Sequence, residues 1–346
     1  MSTVTRVSQR LGVIVVFGLV FPLLALPRAA HADDALGEES QGSEQQADTG
    51  DDGTVSVTVG GVVFDRSKNG SGGSAGVLRS STSWVPPACW YAPKYTPEQL
   101  QKYLEPIWEA GSTGHEWDAT QRKKYLNPDE PEKDFNKDRT GEGHWWGSYV
   151  NDSYPPGWDS CDEDYFWVDR GDPPPAGIEN AVTPEVLAEL AYAEIRVPGT
   201  EVTLAPAGEA KVNLPTWAWL DGAEFRPVSV TASVPVIGIE ATATAVPVSL
   251  EIEPGTPDAE TFPASGVCEI DGGRIGEPYA RGKADRDPPC GVRYLRSSGE
   301  GTFPLQATVT WEIEWTGTGG AGGDLPDGTF GATQGVVVQE IQAINR

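Results

Sequence analysis

Residues 144–169, HWWGSYVNDSYPPGWDSCDEDYFWVD, hold the densest group of side chains that could do chemistry in this sequence. A pair of carboxylates can serve as the general acid and base of a glycosidase, and carboxylate oxygens also bind Ca²⁺. The calcium-loop spacing D-x-[DN]-x-[DN]-G does not occur in this run, so a solvated acidic loop is the simpler interpretation. The carboxylates concerned flank Cys161 and are Asp159, Asp162, Glu163 and Asp164.

The same run carries aromatic rings that could bind sugars. Exposed Trp and Tyr rings stack on sugar faces, and Trp145, Trp146 and Trp158 are the candidates for such a face. However, the region from 84 to 180 contains eight of the twelve tryptophans and few Leu, Ile or Val. A domain with few aliphatic side chains must bury its aromatic ones to fold. We therefore expect a mainly structural role for these tryptophans, with one or two exposed at a functional face.

Two glycine-rich segments formally match the dinucleotide-binding pattern G-x-G-x-x-G/A. Residues 317–322 follow a predicted strand, but the next residues, GDLPDGT, cannot begin the long helix whose N-terminus would hold a pyrophosphate. This segment therefore predicts the loop of a β-hairpin. The second match, residues 70–75, lies in a Gly/Ser-rich linker. Neither segment supports a nicotinamide-dependent reductase, and we predict no cofactor.

Other catalytic patterns are weak. After residue 32 the chain contains only His115 and His144, and HEWDA at 115–119 departs from the metal-binding pattern H-E-x-x-H. The nucleophile pattern G-x-S-x-G does not occur. His144, beside two tryptophans, could act as a base, but a partly buried structural histidine is the simpler interpretation. We predict no catalytic residue, no metal site and no enzyme activity.

Four cysteines follow residue 32, as expected of an oxidising compartment. Sequence alone allows three pairings. We prefer Cys89 with Cys161 and Cys268 with Cys290, because each bridge then stays inside one region. A zinc site is the alternative, but the chain has no C-x-x-C pair.

The first 32 residues have the pattern of a secretory signal peptide. Two arginines precede an apolar run from 11 to 26, and Ala-His-Ala ends at Ala32, so cleavage is expected between Ala32 and Asp33. The run is too short for a membrane span and contains Pro22. Removing three arginines takes the net charge from −26 to −29. Such a chain repels nucleic acid and anionic lipid, so we expect neither as a partner. The signal peptide predicts a secreted, extracellular or cell-wall-associated protein.

The remaining chain divides into three parts. Residues 33–83 combine an acidic segment expected to be disordered, a short strand or hairpin at 54–64, and a Gly/Ser linker. Residues 84–195 predict a small aromatic-rich, disulfide-linked α+β or irregular domain. Its first helix begins at Thr96 as N-cap, with Gln99 completing a capping box and Gly111 ending the helix; its second begins at Thr183. We expect mostly loops from 114 to 172.

Residues 196–346 change to a period of two, which is typical of strands. Val228, Val230, Ala232 and Val234 alternate with Ser and Thr, and the segment from 309 to 315 alternates in the same way. Seven or more short strands separated by Gly/Pro turns indicate an antiparallel β-sandwich. We therefore predict a mainly β protein.

Several motifs resemble a family of exported actinobacterial proteins, over roughly residues 84–346. They include PPACWYAPKYTPEQL, RVPGTEV, VNLPTWAWLDGAEFRPVSVTAS, DPPCGVRYLRSS and VTWEIEWTGTGG. The family has no established activity, although some members carry an automatic "enoyl reductase" label. The resemblance implies a C-terminal immunoglobulin-like sandwich of the polycystic-kidney-disease (PKD) type. Relatives carry a W-D-x-G-D-G turn that SLEIEPGTPDAETFPASGVC lacks, so no role of that turn transfers to this chain.

Together these observations predict an exported, non-catalytic protein that interacts with a cell-surface protein or a cell-wall polymer. The alternative is a carbohydrate-active hydrolase that uses paired carboxylates. A purely structural partner in a surface complex is a third hypothesis. A cleft with two carboxyl groups and aromatic walls would favour the hydrolase, and a flat exposed aromatic row would favour glycan binding.

Overall fold

The computed structural model describes residues 46–49, 55–70, 75–111, 114–151, 157–220, 225–271, 274–283 and 285–341. The predicted signal peptide, the Ala32–Asp33 cleavage site and most of the acidic segment lie outside these residues. Within the acidic segment, Gln46–Thr49 forms a strand that pairs antiparallel with Val55–Val59. The disorder predicted from composition is therefore wrong at these four residues, because composition carries no information about backbone pairing with a neighbouring strand.

Within these residues the chain forms three α-helices and twenty strands. The helices are α1 (Pro97–Ala110), α2 (His115–Leu126) and α3 (Pro184–Ala193). The strands are β1 (Gln46–Thr49), β2 (Val55–Val59), β3 (Val62–Asp65), β4 (Gly76–Val77), β5 (Arg79–Ser80), β6 (Cys89–Tyr95), β7 (Gly143–Val150), β8 (Phe166–Asp169), β9 (Arg196–Val197), β10 (Thr203–Ala205), β11 (Glu209–Lys211), β12 (Pro215–Leu220), β13 (Val228–Val234), β14 (Ile239–Glu253), β15 (Ala259–Phe262), β16 (Val267–Asp271), β17 (Arg274–Gly276), β18 (Gly291–Tyr294), β19 (Phe303–Gly317) and β20 (Gly322–Gln339).

A long antiparallel sheet forms the backbone of the molecule. Its strands run in the order β2–β3–β13–β14–β19–β20, and β11 and β5 pair with the outer edge of β20. One face carries Ser, Thr and Glu toward solvent, whereas the other buries small and aliphatic side chains. The predicted alternation from Val228 to Val234 is confirmed, since these four apolar residues are all buried.

A second sheet covers one end of the buried face. Its strands follow the order β10–β12–β18–β15, and β16 and β17 link it to the long sheet. The predicted antiparallel β-rich architecture is therefore confirmed. Trp217 and Trp219 lie on the same side of β12, because residues two apart in a strand face the same way.

Helix α3 covers the other end of the buried face. It packs against β13, β14 and β19 through Leu187, Ala188 and Ala191. Ala241, Ala243 and Ala245 of β14 face the same core, and their small side chains leave room for a helix on the sheet. The helix begins at its predicted N-cap, where Thr183 Oγ1 accepts a hydrogen bond from the backbone N–H of Val186.

A third sheet, β6–β7–β8, lies in the aromatic-rich region between two cores. The main core contains Trp90 and Trp146 together with α3 and both sandwich sheets. A smaller core lies between the third sheet, α1 and α2. It consists of Leu100, Leu104, Trp108, Tyr125, Phe135 and Trp145. The main core includes residues on both sides of position 195, and the two-domain division there stays a prediction.

Helix α1 follows the sequence closely. Thr96 and Gln99 form the predicted capping box, and Gly111 ends the helix at φ 63°. Pro106 lies inside the helix, which continues to Ala110. The buried residues Leu100, Leu104 and Trp108 lie on one face and fill the smaller core.

The prediction of mostly loops between 114 and 172 is wrong. This stretch contains α2, β7 and β8. The period of two is hidden in β7 because both of its faces are buried, so adjacent residues are apolar. Helix α2 buries only Gln121 and Tyr125, which leaves little amphipathic pattern in its sequence.

Strand β14 is long and runs through Pro247 without ending. Its register against β19 shifts between Pro247 and Ser249. Proline has no N–H for the ladder, and a local bulge accommodates it without ending the strand.

Both preferred disulfides are confirmed. Cys89 pairs with Cys161 at a Cα–Cα distance of 6.1 Å, and Cys268 pairs with Cys290 at 5.6 Å. The first joins β6 to the loop before β8. The second joins β16 to the residue before β18.

Candidate functional site

Two of the three tryptophans predicted for a binding face are buried. Trp145 is 0% exposed and Trp146 is 1% exposed. They are neighbours on β7 and point to opposite faces of its sheet, so one fills the smaller core and the other fills the main core. The proposal of an aromatic face at these residues is therefore wrong. The side chain of Trp158 lies outside the described part of the structure.

The acidic loop around Cys161 lies on the surface and is attached to both cores. Asp159, Asp162 and Glu163 are exposed, and the backbone N–H of Glu163 donates to the hydroxyl of Tyr91 at 2.8 Å. Asp164 accepts a hydrogen bond from Nε2 of the buried Gln121 at 3.0 Å. In the described ranges no group of three His, Cys, Asp or Glu side chains has the arrangement of a metal site.

The histidines and the glycine-rich motif occupy structural positions. His115 is exposed at the start of α2, and His144 is half-buried on β7. Burial, assisted by the positive charge of Arg170, lowers the pKa of His144. Residues 317–322 lie at the turn between β19 and β20, which confirms the hairpin predicted for them.

A concave surface with several charged side chains lies beside the end of α2, where the chain reverses into residues 133–139. We call this surface the α2 cleft; its volume is about 330 Å³. It combines one aromatic residue, two apolar residues, an ammonium group and two carboxylates. Its lining residues are Tyr125, Leu126, Pro128, Lys133, Asp134 and Asp138.

The smaller core anchors the floor of this cleft. The rings of Tyr125 and Phe135 stack in parallel with centroids 4.8 Å apart, and Trp145 meets Tyr125 edge-on at 5.3 Å. The Nε1–H of Trp145 donates to the carbonyl of Phe135 at 2.8 Å. These contacts hold the segment that carries Asp134 and Asp138 against α2.

That segment has an unusual backbone. Asp134, Phe135 and Asn136 have φ values of 49°, 60° and 58°, so three consecutive non-glycine residues lie in the left-handed region. Each such residue costs roughly 1–2 kcal/mol, which the burial of Phe135 and Asn136 offsets. The turn directs Asp134 outward, where it forms an ion pair with Lys137 at 2.9 Å.

The hydroxyl of Tyr125 is buried and has no hydrogen-bond partner among the described residues. Burial raises the pKa of Tyr125, and the negative charges of Asp164 and Glu132 raise it further. The phenol therefore stays protonated at physiological pH and can donate a hydrogen bond. An unsatisfied buried hydroxyl costs about 1–3 kcal/mol, so a ligand oxygen or a water molecule at this atom would be stabilising.

The sequence did not predict any residue of the α2 cleft as functional. The segment YLNPDEPEKD reads as the end of a helix followed by a polar turn, and its acidic residues resemble those of any solvated loop. Only the return of the chain after Pro128 places Asp134 and Asp138 opposite Leu126.

Comparison of the chain with protein-family models, curated proteins and solved structures finds no match in any of the three. The resemblance to exported actinobacterial proteins therefore stays a prediction. Among the described residues, no helix is long and apolar enough to cross a membrane.

Proposed function

We propose that this chain is an exported, non-catalytic binding module, and that the α2 cleft holds a hydroxyl-rich ligand of the cell surface, such as a cell-wall glycan. The observation that carries the proposal is the cleft itself, whose walls carry an ammonium group and two carboxylates beside the exposed side chain of Leu126. Sugars present many hydroxyl groups that such walls can bind, together with an apolar ring face.

The size and exposure of the cleft fit this ligand class. At about 330 Å³ it lies at the lower end of the range of small-molecule sites, which suits one or two sugar rings. Leu126 is 51% exposed and offers an apolar contact for a ring face. Lys133 and Asp138, both exposed, supply a donor and an acceptor.

Export and the immunoglobulin-like class belong to the same proposal. Two disulfides are typical of proteins that fold in an oxidising compartment, as secreted proteins do. Two mainly antiparallel sheets, β10–β12–β18–β15 and β11–β20–β19–β14, support an immunoglobulin-like or PKD-like assignment, since such domains pack two antiparallel sheets face to face.

A carbohydrate-active hydrolase is the second candidate, and one observation favours it. Asp134 and Asp138 line the same cleft, as the two carboxylates of a glycosidase would. A reductase has no such support, because residues 317–322 form a hairpin turn rather than the start of a helix in a βαβ unit.

The test is co-sedimentation of the oxidised mature protein, residues 33–346, with peptidoglycan, chitin and cellulose, scored for bound protein and for released sugar. The variant carrying both Asp134→Asn and Asp138→Asn removes the cleft carboxylates, and asparagine tolerates the left-handed backbone of residue 134. Asp129→Asn changes an exposed carboxylate on the same loop that does not line the cleft, and it is the matched control.

Saturable binding that the double variant loses and the control keeps would support the proposal. Sugar release that the same variant abolishes would replace it with the hydrolase. If no polymer binds the protein, glycan binding is wrong and a protein partner becomes the working hypothesis.

A further inference from the structure

A second cavity lies between the two sheets of the sandwich, far along the chain from the α2 cleft. The chain leaves β10 in the second sheet, crosses through Pro206–Gly208 and joins the long sheet as β11. Between this crossing and β20 is a space of about 240 Å³, which we call the crossover cavity. Its lining includes Val202, Leu204, Pro206, Thr216, Gln334 and Val336.

The lining of the crossover cavity carries four polar side chains, of which Thr203 and Glu209 are exposed, Thr216 is buried and Gln334 is half-buried. Thr216 is 1% exposed, and its hydroxyl has no hydrogen-bond partner in the described part of the chain. Gln334 is already engaged, because its Oε1 accepts a hydrogen bond from the backbone N–H of Val202 at 3.1 Å. The cavity therefore suits an apolar group that carries one hydrogen-bonding atom, which would satisfy Thr216.

The cavity adjoins an open sheet edge. On the side of β20 away from β19, residues Gly328–Thr329 pair with β5 and residues Val337–Gln339 pair with β11. Between them, residues 330–336 have no strand partner on that side within the described ranges. Gln334, Gly335 and Val336 belong to this open stretch and also line the cavity. Such an edge can pair with an extended peptide.

We propose that the sandwich binds an extended peptide that adds a strand along residues 330–336 of β20 and inserts a tyrosine-type side chain into the crossover cavity. Alternate side chains of an added strand point toward the space between the sheets, where the cavity lies. Tyrosine combines an apolar ring with one polar tip, which matches the lining. A cavity of about 150 Å³ accommodates benzene, so a phenol ring fits the larger space. This site is independent of the α2 cleft.

The cavity is tested with p-cresol, the side-chain analogue of tyrosine, and with toluene, which differs only by lacking the hydroxyl. Binding to the full mature protein is followed by NMR shifts of Leu204 and Val336. We expect p-cresol to bind more tightly than toluene. Thr216→Val, which keeps the shape and removes the hydroxyl, should weaken p-cresol binding roughly threefold to tenfold and leave toluene binding unchanged.

If p-cresol causes no saturable shift at the cavity, or if Thr216→Val binds it as tightly as the native protein does, the assignment of the cavity is wrong. Folding of the variant is checked by its unfolding midpoint. The double variant of Asp134 and Asp138 is the control for the other site, and it should bind p-cresol normally.

Strand addition is tested with the peptide acetyl-Val-Thr-Tyr-Thr-Val-amide, whose threonines would face solvent when tyrosine faces the cavity. Replacing its tyrosine by alanine should reduce affinity at least tenfold. Two further peptides carry N-methyl groups on alternate amides, so that each peptide can donate backbone hydrogen bonds from only one of its two edges. Only the peptide whose unmodified edge faces β20 should bind. If both bind, or if the parent peptide does not bind, strand addition is wrong even where p-cresol occupies the cavity.

Discussion

Replacement of Trp145 and Trp146 by phenylalanine, one at a time, should have different costs although the two residues are neighbours and both are buried. The smaller ring removes roughly three heavy atoms from a filled site, or about 2–3 kcal/mol at about 0.8 kcal/mol per methylene-sized group. The difference arises from the indole N–H. Trp145 donates to the carbonyl of Phe135 at 2.8 Å, and this carbonyl would lose that donor.

An unsatisfied buried carbonyl costs about 1–3 kcal/mol, so Trp145→Phe should destabilise the protein by about 3–6 kcal/mol in total. The Nε1–H of Trp146, in contrast, is buried without a hydrogen-bond partner among the described residues. Its removal eliminates an unsatisfied donor, and Trp146→Phe should therefore cost no more than about 2–3 kcal/mol.

Urea unfolding followed by far-ultraviolet circular dichroism measures both variants without relying on tryptophan emission. The comparison requires equal m-values, since a changed m-value would indicate a changed unfolded or native state. Equal losses of stability, or a larger loss for Trp146→Phe, would contradict the proposed difference between the hydrogen bonds of the two indole groups.

Three further outcomes are expected. Gly60→Ala should lower the free energy of unfolding in urea by about 2–4 kcal/mol, because residue 60 has φ 55° and the added Cβ would lie 2.6 Å from the Trp90 ring. Gly238→Ala, at φ 68° with open space around it, should lower it by only about 1 kcal/mol, and equal losses would contradict the packing of the turn at Gly60. Burial raises the pKa of Glu189 above its unfolded value, so its stabilising contribution is complete below about pH 4.3 and declines as the pH rises through the folded pKa. Glu189→Gln should therefore flatten the profile of stability against pH above that point, and an unchanged profile would contradict this. Serine at both positions of the 268–290 disulfide should lower stability by about 3 kcal/mol, measured under oxidising conditions against the unchanged protein, and a loss near zero would contradict the loop-closure argument.

Local chemistry was sufficient to predict several elements. The capping box of Thr96 and Gln99 begins α1, and Gly111 ends it. The alternation from Val228 to Val234 appears unchanged as the buried face of β13. Both disulfides follow from keeping each bridge within one region. For the helix and the strand, the determining contacts lie between residues close in sequence or on one face of one element.

The third sheet could not be predicted in this way. A strand shows its period of two only when one face is polar, and β7 has a core on each side. The sequence indicated that Trp145 and Trp146 are mainly structural, but which core each one fills depends on the elements that cover the two faces. Helix α2 was missed because its buried side consists of Gln121 and Tyr125 rather than a run of aliphatic residues.

The sequence by itself therefore determined the mainly β class and the predominance of structural aromatic residues, because composition and short-range periodicity carry that information. It favoured the observed disulfide pairing but left two others open. Only the tertiary structure decided where a ligand could bind. The α2 cleft requires the left-handed turn at 134–136 to bring two carboxylates beside Leu126. The crossover cavity requires Thr216 and Gln334, which are more than a hundred residues apart, to meet between two sheets. Concave sites depend on contacts between distant segments, and no local pattern in the sequence encodes those contacts.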